Sequence, residues 1–434
     1  MLRRAFAASF ALCTGLALIA ALMALTALPG PAGASAASDD PLFDEQWSLA
    51  QIHAPEAWGT ATGAGVTIGI IDSGVDRDHP DLRSKIDATA DCVGGTCREG
   101  GGDDLHGHGT LVAGIAAAST GNGRGIAGVA PDARLVVARA VDSEGRGSVE
   151  DINNAIHWVV DHGARVVNLS LGDPNFLVVS LLGTPLRPGI EYAWNRGAVP
   201  VLASGNENMG VLDLGSSNYG SLNAVVVGAT TRSDATASYS SPIGNAKWGL
   251  AAPGGSAGGP GQDILSTYLE GRYAYVAGTS MAVPHVSGAV ALLLSRGLSP
   301  SGAVQRLLST ADKSVRCGPG CQGRLDVGAA VGTSGASATT SPPATAASGP
   351  RAASATTITA APAGSPPTNN GAPPELAAPS GRFGRSDRPL TRTIEYGDEG
   401  PERRPAIAAA FSLALGAGLA SAGAWSRLRA GGRW

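Results

Sequence analysis

Lysine is nearly missing from this sequence. Of its 31 basic residues only Lys85, Lys247 and Lys313 are lysines, and the formal net charge is −4. A chain without a basic excess offers no electrostatic footprint to a phosphate backbone, which excludes nucleic acid as an expected partner. Aromatic residues make up only 5% of the chain, and none occurs between Gly332 and Ser380. A run of Ala, Ser, Thr, Pro and Gly without aromatics has nothing to nucleate a core, so this stretch reads as a disordered tether. Internal repeats are absent. Cysteine is scarce, with five in all, and Cys13 lacks the small residues that lipid attachment needs just ahead of it. The remaining Cys92, Cys97, Cys317 and Cys321 form an even set, which in an exported chain implies two disulfides. Three pairings are open, and the short spacings favour Cys92–Cys97 with Cys317–Cys321; no nearby histidine or second pair supports a metal site.

What is present is glycine (62), proline (28) and 43% hydrophobic residues in a chain of 434, enough for one large domain with extra segments. Both ends read as membrane signals. Two arginines precede a long apolar run, and Ala34-Ser35-Ala36 suits a signal peptidase, so residues 1–36 are expected to be a signal peptide. An uncleaved anchor is the alternative, because the run is longer than most signal cores. Pro405 to Trp425 is uncharged and long enough to span a bilayer. Arg427, Arg429 and Arg433 follow it without an acidic neighbour, which places the tail, 426–434, in the cytoplasm and the bulk of the chain outside. The expected plan is a signal, a short extension (37–46), a domain (47–331), a linker (332–404) and a membrane helix (405–425).

Within the domain, short apolar runs alternate with helical stretches, the pattern of an α/β fold. Expected strands are Val66–Ile71, Leu135–Val141, Val166–Leu171, Val199–Ala203 and Val225–Ala229; such continuous runs suit strands covered on both faces. Expected helices are Gly109–Ala118, Val149–Asp161, Gly189–Asn195, Met281–Leu294 and Ser301–Leu308, the last opened by a Ser299-Pro300 cap.

Chemistry-bearing residues stand where strands end or helices begin. "VTIGIIDSGVD" puts Asp72 after a buried strand, "DDLHGHGTLVAG" puts His106 and His108 before a helix, and "GTSMAVPHVSG" puts Ser280 at a helix start. Ligands of open α/β sheets bind outside the carboxyl ends of the strands, where these groups would meet. A hydroxyl nucleophile needs a neutral imidazole, and the imidazole needs a carboxylate to fix its tautomer. His285 is the nearest histidine to Ser280, but five residues along one helix turn it about 140° away. Pro284 is tolerable only near a helix start, so the helix is expected to begin near Ser280 and the base to come from elsewhere.

The blocks "DSGVDRDHPDL", "GHGTLVAG" and "GTSMAVPHVSG" resemble the three signature blocks of the subtilisin-like serine proteases, the subtilases, over Gln46 to Val331. The resemblance implies a three-layer α/β fold with a mostly parallel central sheet flanked by helices, and a serine endopeptidase acting on proteins or peptides. It assigns Asp72, His108 and Ser280 as the triad, and the asparagine of "VPVLASGNEN", Asn206, as an oxyanion donor. Val283 departs from the family, where many members carry a small polar residue. By the same resemblance, Ser170, Leu171 and Gly172 form a wall of the primary pocket, and Gly145, Arg146 and Gly147 form the strand that pairs with substrate. Arg146 would favour acidic substrate side chains. No cofactor is implied; many subtilases bind calcium, yet no acidic loop marks a calcium site here. The stretch before Trp47 leaves no room for a large folding propeptide. In overall plan the chain also resembles the mycosins, subtilases of actinobacterial type VII secretion systems, which implies a secretion complex as partner and structural support as an alternative role.

Overall fold

The computed structural model describes residues 38–143, 145–171, 185–206 and 219–333, and the backbone of 392–394. The expected signal (1–36), membrane segment (405–425) and tail lie outside these residues, as does most of the linker. Among the described residues no helix is long and apolar enough to cross a membrane.

Among the described residues eleven strands belong to the domain: β1 Thr67–Asp72, β2 Ile86–Asp91, β3 Arg98–Glu99, β4 Arg134–Arg139, β5 Ala164–Leu169, β6 Val199–Ala203, β7 Val225–Thr230, β8 Trp248–Pro253, β9 Ile264–Tyr268, β10 Arg272–Val276 and β11 Cys321–Arg324. The helices are α1 Trp47–Gln51, α2 Ala54–Ala57, α3 His108–Ala117, α4 Val149–Asp161, α5 Arg187–Asn195, α6 Thr279–Ser295, α7 Pro300–Thr310 and α8 Val327–Val331. Nine strands form one sheet in the order β11-β8-β7-β6-β5-β1-β4-β2-β3. Every neighbouring pair is parallel except β2 with β3.

Alternation along each strand sends side chains to two cores. Ile68, Ile70, Leu135, Val137 and Val166 pack with α3, α6 and α7 on one face. Ile71, Val136, Ala138, Val167 and Leu169 pack with α4 and α5 on the other. Because both faces are covered, the central strands β1, β4, β5, β6 and β7 read as largely apolar runs. The expected strands and helices all appear, with ends displaced by a few residues at most. The first turn of α4 is capped by Ser148, whose Oγ accepts from Asp151 N–H at 3.0 Å, and α7 is capped by Ser299, which accepts from Gly302 N–H at 3.2 Å.

Both expected disulfides form, Cys92–Cys97 and Cys317–Cys321. The first closes a loop that docks on α4, where Gly95 N–H donates to Asp151 Oδ1 at 2.6 Å and Asn154 Nδ2 donates to the Gly95 carbonyl at 2.8 Å. The segment expected as a short extension is tied to the domain: Leu42 N–H donates to the Gly125 carbonyl at 2.8 Å, and Gln46 exchanges two hydrogen bonds with Ala127. Part of the expected linker also returns. Arg392–Ile394 forms β12 and pairs antiparallel with β10, in a three-stranded sheet ordered β12-β10-β9. β10 had a free edge, and three residues of almost any composition satisfy its backbone groups.

Candidate active site

Asp72 is the last residue of β1 and is fully buried. Its Oδ1 accepts from Ser73 N–H at 2.8 Å and meets Nδ1 of His108 at 2.7 Å. A carboxylate oxygen accepts, so Nδ1 carries the proton and Nε2 keeps its lone pair. His108 opens α3, and the glycine after it permits the approach: a Cβ on Gly109 would lie 2.1 Å from the Gly74 carbonyl oxygen. Burial disfavours a charged His108 ring, but the charge and hydrogen bond of Asp72, with the charge of Asp104, outweigh it and raise its pKa above the ordinary value.

Asp104 builds the turn that presents His108. Its buried carboxylate accepts from Gly107 N–H (2.7 Å), His106 N–H (3.0 Å), Thr110 N–H (2.9 Å), Thr110 Oγ1 (2.6 Å) and Ser73 Oγ (2.8 Å). Burial opposes its ionisation, yet the bonds from Thr110, Gly107 and His106 prevail and hold its pKa below the usual range. Ser73 Oγ in turn accepts from Gly109 N–H at 2.9 Å, stitching the β1 end to the α3 start.

Ser280 is the second residue of α6, close to the expected helix start. Helices α3 and α6 pack side by side, and β5, whose end meets Ser280, neighbours β1. Asn206 follows β6, the next strand along. Thr279 donates to Asn206 Oδ1 from both its N–H (3.1 Å) and its Oγ1 (3.0 Å), which fixes the amide with Nδ2 facing away from Thr279. A Cβ built on Gly278 would lie 3.7 Å from Asn206 Nδ2 and 3.8 Å from Ser280 N. Two donors therefore border one small space beside the hydroxyl-bearing residue, at the positive end of a helix. That space suits a developing oxyanion.

The residues expected to bind substrate divide. Ser170 is buried at the β5 end, and its Oγ donates to the Ser280 carbonyl at 2.8 Å. Leu171 packs partly against the α4–α5 core. Gly172 lies outside the described residues. Gly145 and Arg146 complete a tight turn in which Asp142 N–H donates to the Arg146 carbonyl at 2.8 Å, and Gly147 follows it. This segment lies beside the site, since a Cβ on Gly145 would be 3.6 Å from His106 Nε2, and the His106 and His108 rings are 6.3 Å apart. The Arg146 guanidinium is paired with Asp142 at 2.9 Å, so its charge is already answered within the chain. His285 is fully buried, with Nδ1 at 2.8 Å from the Met281 carbonyl and Nε2 at 3.0 Å from Ser48 Oγ. It ties α6 to α1 and stands outside the chemistry. Among the described residues no three His, Cys, Asp or Glu side chains converge to hold a metal ion.

Sequence reasoning left Asp104, Ser73 and Thr279 without roles. A carboxylate three residues ahead of the glycine before a helix was a readable capping signal for the first. The other two act through contacts across the fold that carry no local signature.

An α/β sheet that carries a carboxylate-bound His and a helix-opening Ser at its carboxyl edge has the groups that acyl transfer of the serine hydrolase kind requires. Comparison with known proteins gives the family. Residues 63–357 match the model of the Subtilase family. Thermitase of Thermoactinomyces vulgaris is 38% identical over 278 residues, 63% of this chain and 91% of that protein. A thermophilic serine proteinase of Bacillus sp. (strain AK1) is 40% identical over 269 residues, 62% of either chain. A solved protease structure from Pseudoalteromonas arctica PAMC 21717 superposes with a TM-score of 0.57 at 30% identity, covering 68% of this chain and 98% of that one. The chain belongs to the subtilase family and is a serine-type endopeptidase.

Proposed function

We propose that this protein is an exported, membrane-tethered endopeptidase that cleaves peptide bonds through an acyl-enzyme on Ser280. The observation that carries the reading is the 2.7 Å contact between His108 Nδ1 and Asp72. Ser280 Oγ attacks the peptide carbonyl and gives its proton to His108 Nε2. Asp72 holds the resulting imidazolium, and Asn206 Nδ2 with Ser280 N–H receives the oxyanion. His108 then protonates the leaving amine, and a water, deprotonated by the same ring, releases the acyl group. Bound peptide runs past Gly145–Gly147, with Leu171 and Gly172 continuing the wall of the primary pocket.

Export is supported by the arginine-led apolar N-terminus and by two disulfides, which persist in oxidising compartments. The tether is supported by the uncharged segment 405–425 and the arginines behind it. Nothing in the geometry favours a scaffold role in a secretion complex over proteolysis. A fluorophosphonate probe is expected to label the wild type and not Ser280→Ala; a folded wild type that resists the probe ends the reading. Deleting 405–434 is expected to move the protein from the membrane fraction to the medium.

A further inference from the structure

The helix carrying Ser280 has a break in its hydrogen bonding at the nucleophile itself. In an α-helix the carbonyl of Ser280 accepts from the N–H four residues on, and that residue is Pro284, which has none. Ser280 is buried, only 7% exposed, so its carbonyl needs another donor. Ser170 Oγ supplies it at 2.8 Å, from the residue that follows β5.

The direction of the network is fixed by chemistry. A carbonyl can only accept, so the single Ser170 proton goes to Ser280. The Ser170 oxygen then accepts from Asn168 Nδ2 at 2.9 Å, which orients the amide and leaves Asn168 Oδ1 to accept from Ser287 Oγ at 2.8 Å. Ser287 lies two turns beyond Ser280 on the same face of α6. Asn168 and Ser287 are fully buried and Ser170 is 1% exposed, so no solvent replaces any member. The loop starts and ends on α6 and passes through the last turn of the sheet.

We infer that Ser170, held by Asn168, is a positioning residue for the proposed nucleophile: its hydroxyl stands in for the N–H that Pro284 removes and sets the Ser280 peptide from the end of β5. The Ser280 carbonyl is bonded to the Cα that also bears the side chain and the oxyanion-donating N–H, so holding it fixes the direction of both. The same β5 end continues into Leu171, so the strand flanking the substrate also anchors the attacking residue. The inference rests on Ser280 being the nucleophile.

A double substitution separates positioning from ordinary packing. With active sites titrated so that only folded enzyme is counted, Ser170→Ala is expected to lower kcat about tenfold with KM little changed, the order of one buried hydrogen bond. Pro284→Ala returns an N–H to the Ser280 carbonyl. In that background Ser170→Ala is expected to cost less than about twofold, well inside one ordinary hydrogen bond. Should Ser170→Ala fail to fold, Ser170→Cys, a weaker donor, takes its place with the same rescue expected. A kcat per site unchanged by either Ser170 variant overturns the inference, as does an undiminished loss in the Pro284→Ala background. Failure of the wild type to label at Ser280 instead overturns the catalytic assignment, which makes the two failures distinct.

Discussion

His285 turns a packing contact into a pH dependence that can be worked through. Burial lowers its pKa to about 4, against the partial support of the Met281 carbonyl, whereas in the unfolded chain it titrates near 6.5. As pH falls through that window the unfolded chain takes up a proton that the folded protein refuses. The contribution is therefore intact above about pH 6.5 and is lost on acidification, reaching about 3 kcal/mol at pH 4. Asp81 works in the opposite sense, because burial raises its pKa to about 6 and the folded state protonates first. Because the two oppose each other, the effect has to be read by difference at one site. His285→Leu keeps the volume and removes the titration, but orphans the Ser48 hydroxyl at a cost of about 1–3 kcal/mol at neutral pH. Urea unfolding of both proteins in a Ser280→Ala background, which prevents autolysis, is the assay. Between pH 7.5 and pH 4 the difference between them is expected to move by about 3 kcal/mol in favour of the variant. Parallel stability curves across that range would refute the reasoning.

Other consequences follow from the same geometry. Because His108 must be neutral to act and Asp72 raises its pKa, kcat/KM is expected to climb with pH and reach half its maximum above about pH 6.5, while Asp72→Asn costs about 10⁴-fold at the plateau. Asn206→Ala removes one of the two oxyanion donors and is expected to lower kcat by about 10²–10³ with KM nearly constant, read in steady-state peptide hydrolysis. Arg324, 4% exposed, bridges Asp312 at 3.0 Å and Asp234 at 3.2 Å and donates to the Gln51 carbonyl. Its replacement by Ala is expected to cost about 2–3 kcal/mol in denaturant unfolding, less than a fully buried pair because both carboxylates are partly exposed.

The strands that the sequence disclosed are those buried on both faces, where composition alone marks them. β2 escaped because it reads as polar: Asp87 and Asp91 interrupt it, and their partners, Arg134 and Arg139, stand on β4. β12 escaped because a three-residue strand is made by the edge that receives it. The catalytic blocks were legible because each carries its chemistry within a few residues. The bond from Ser170 to Ser280 was not legible because it spans 110 residues; the local clue was Pro284, which announces an orphaned carbonyl four residues earlier.

The order of elements along the chain differs from their order in the sheet. Asp72 and His108 arrive with β1 and α3, Asn206 follows β6, and Ser280 comes only with α6. During synthesis the base and its carboxylate exist long before the group they activate. If Ser280 is the nucleophile as proposed, a growing chain carries no working nucleophile until α6 packs, and fragments released before it cannot digest their neighbours. Latency of this kind comes from the order of translation.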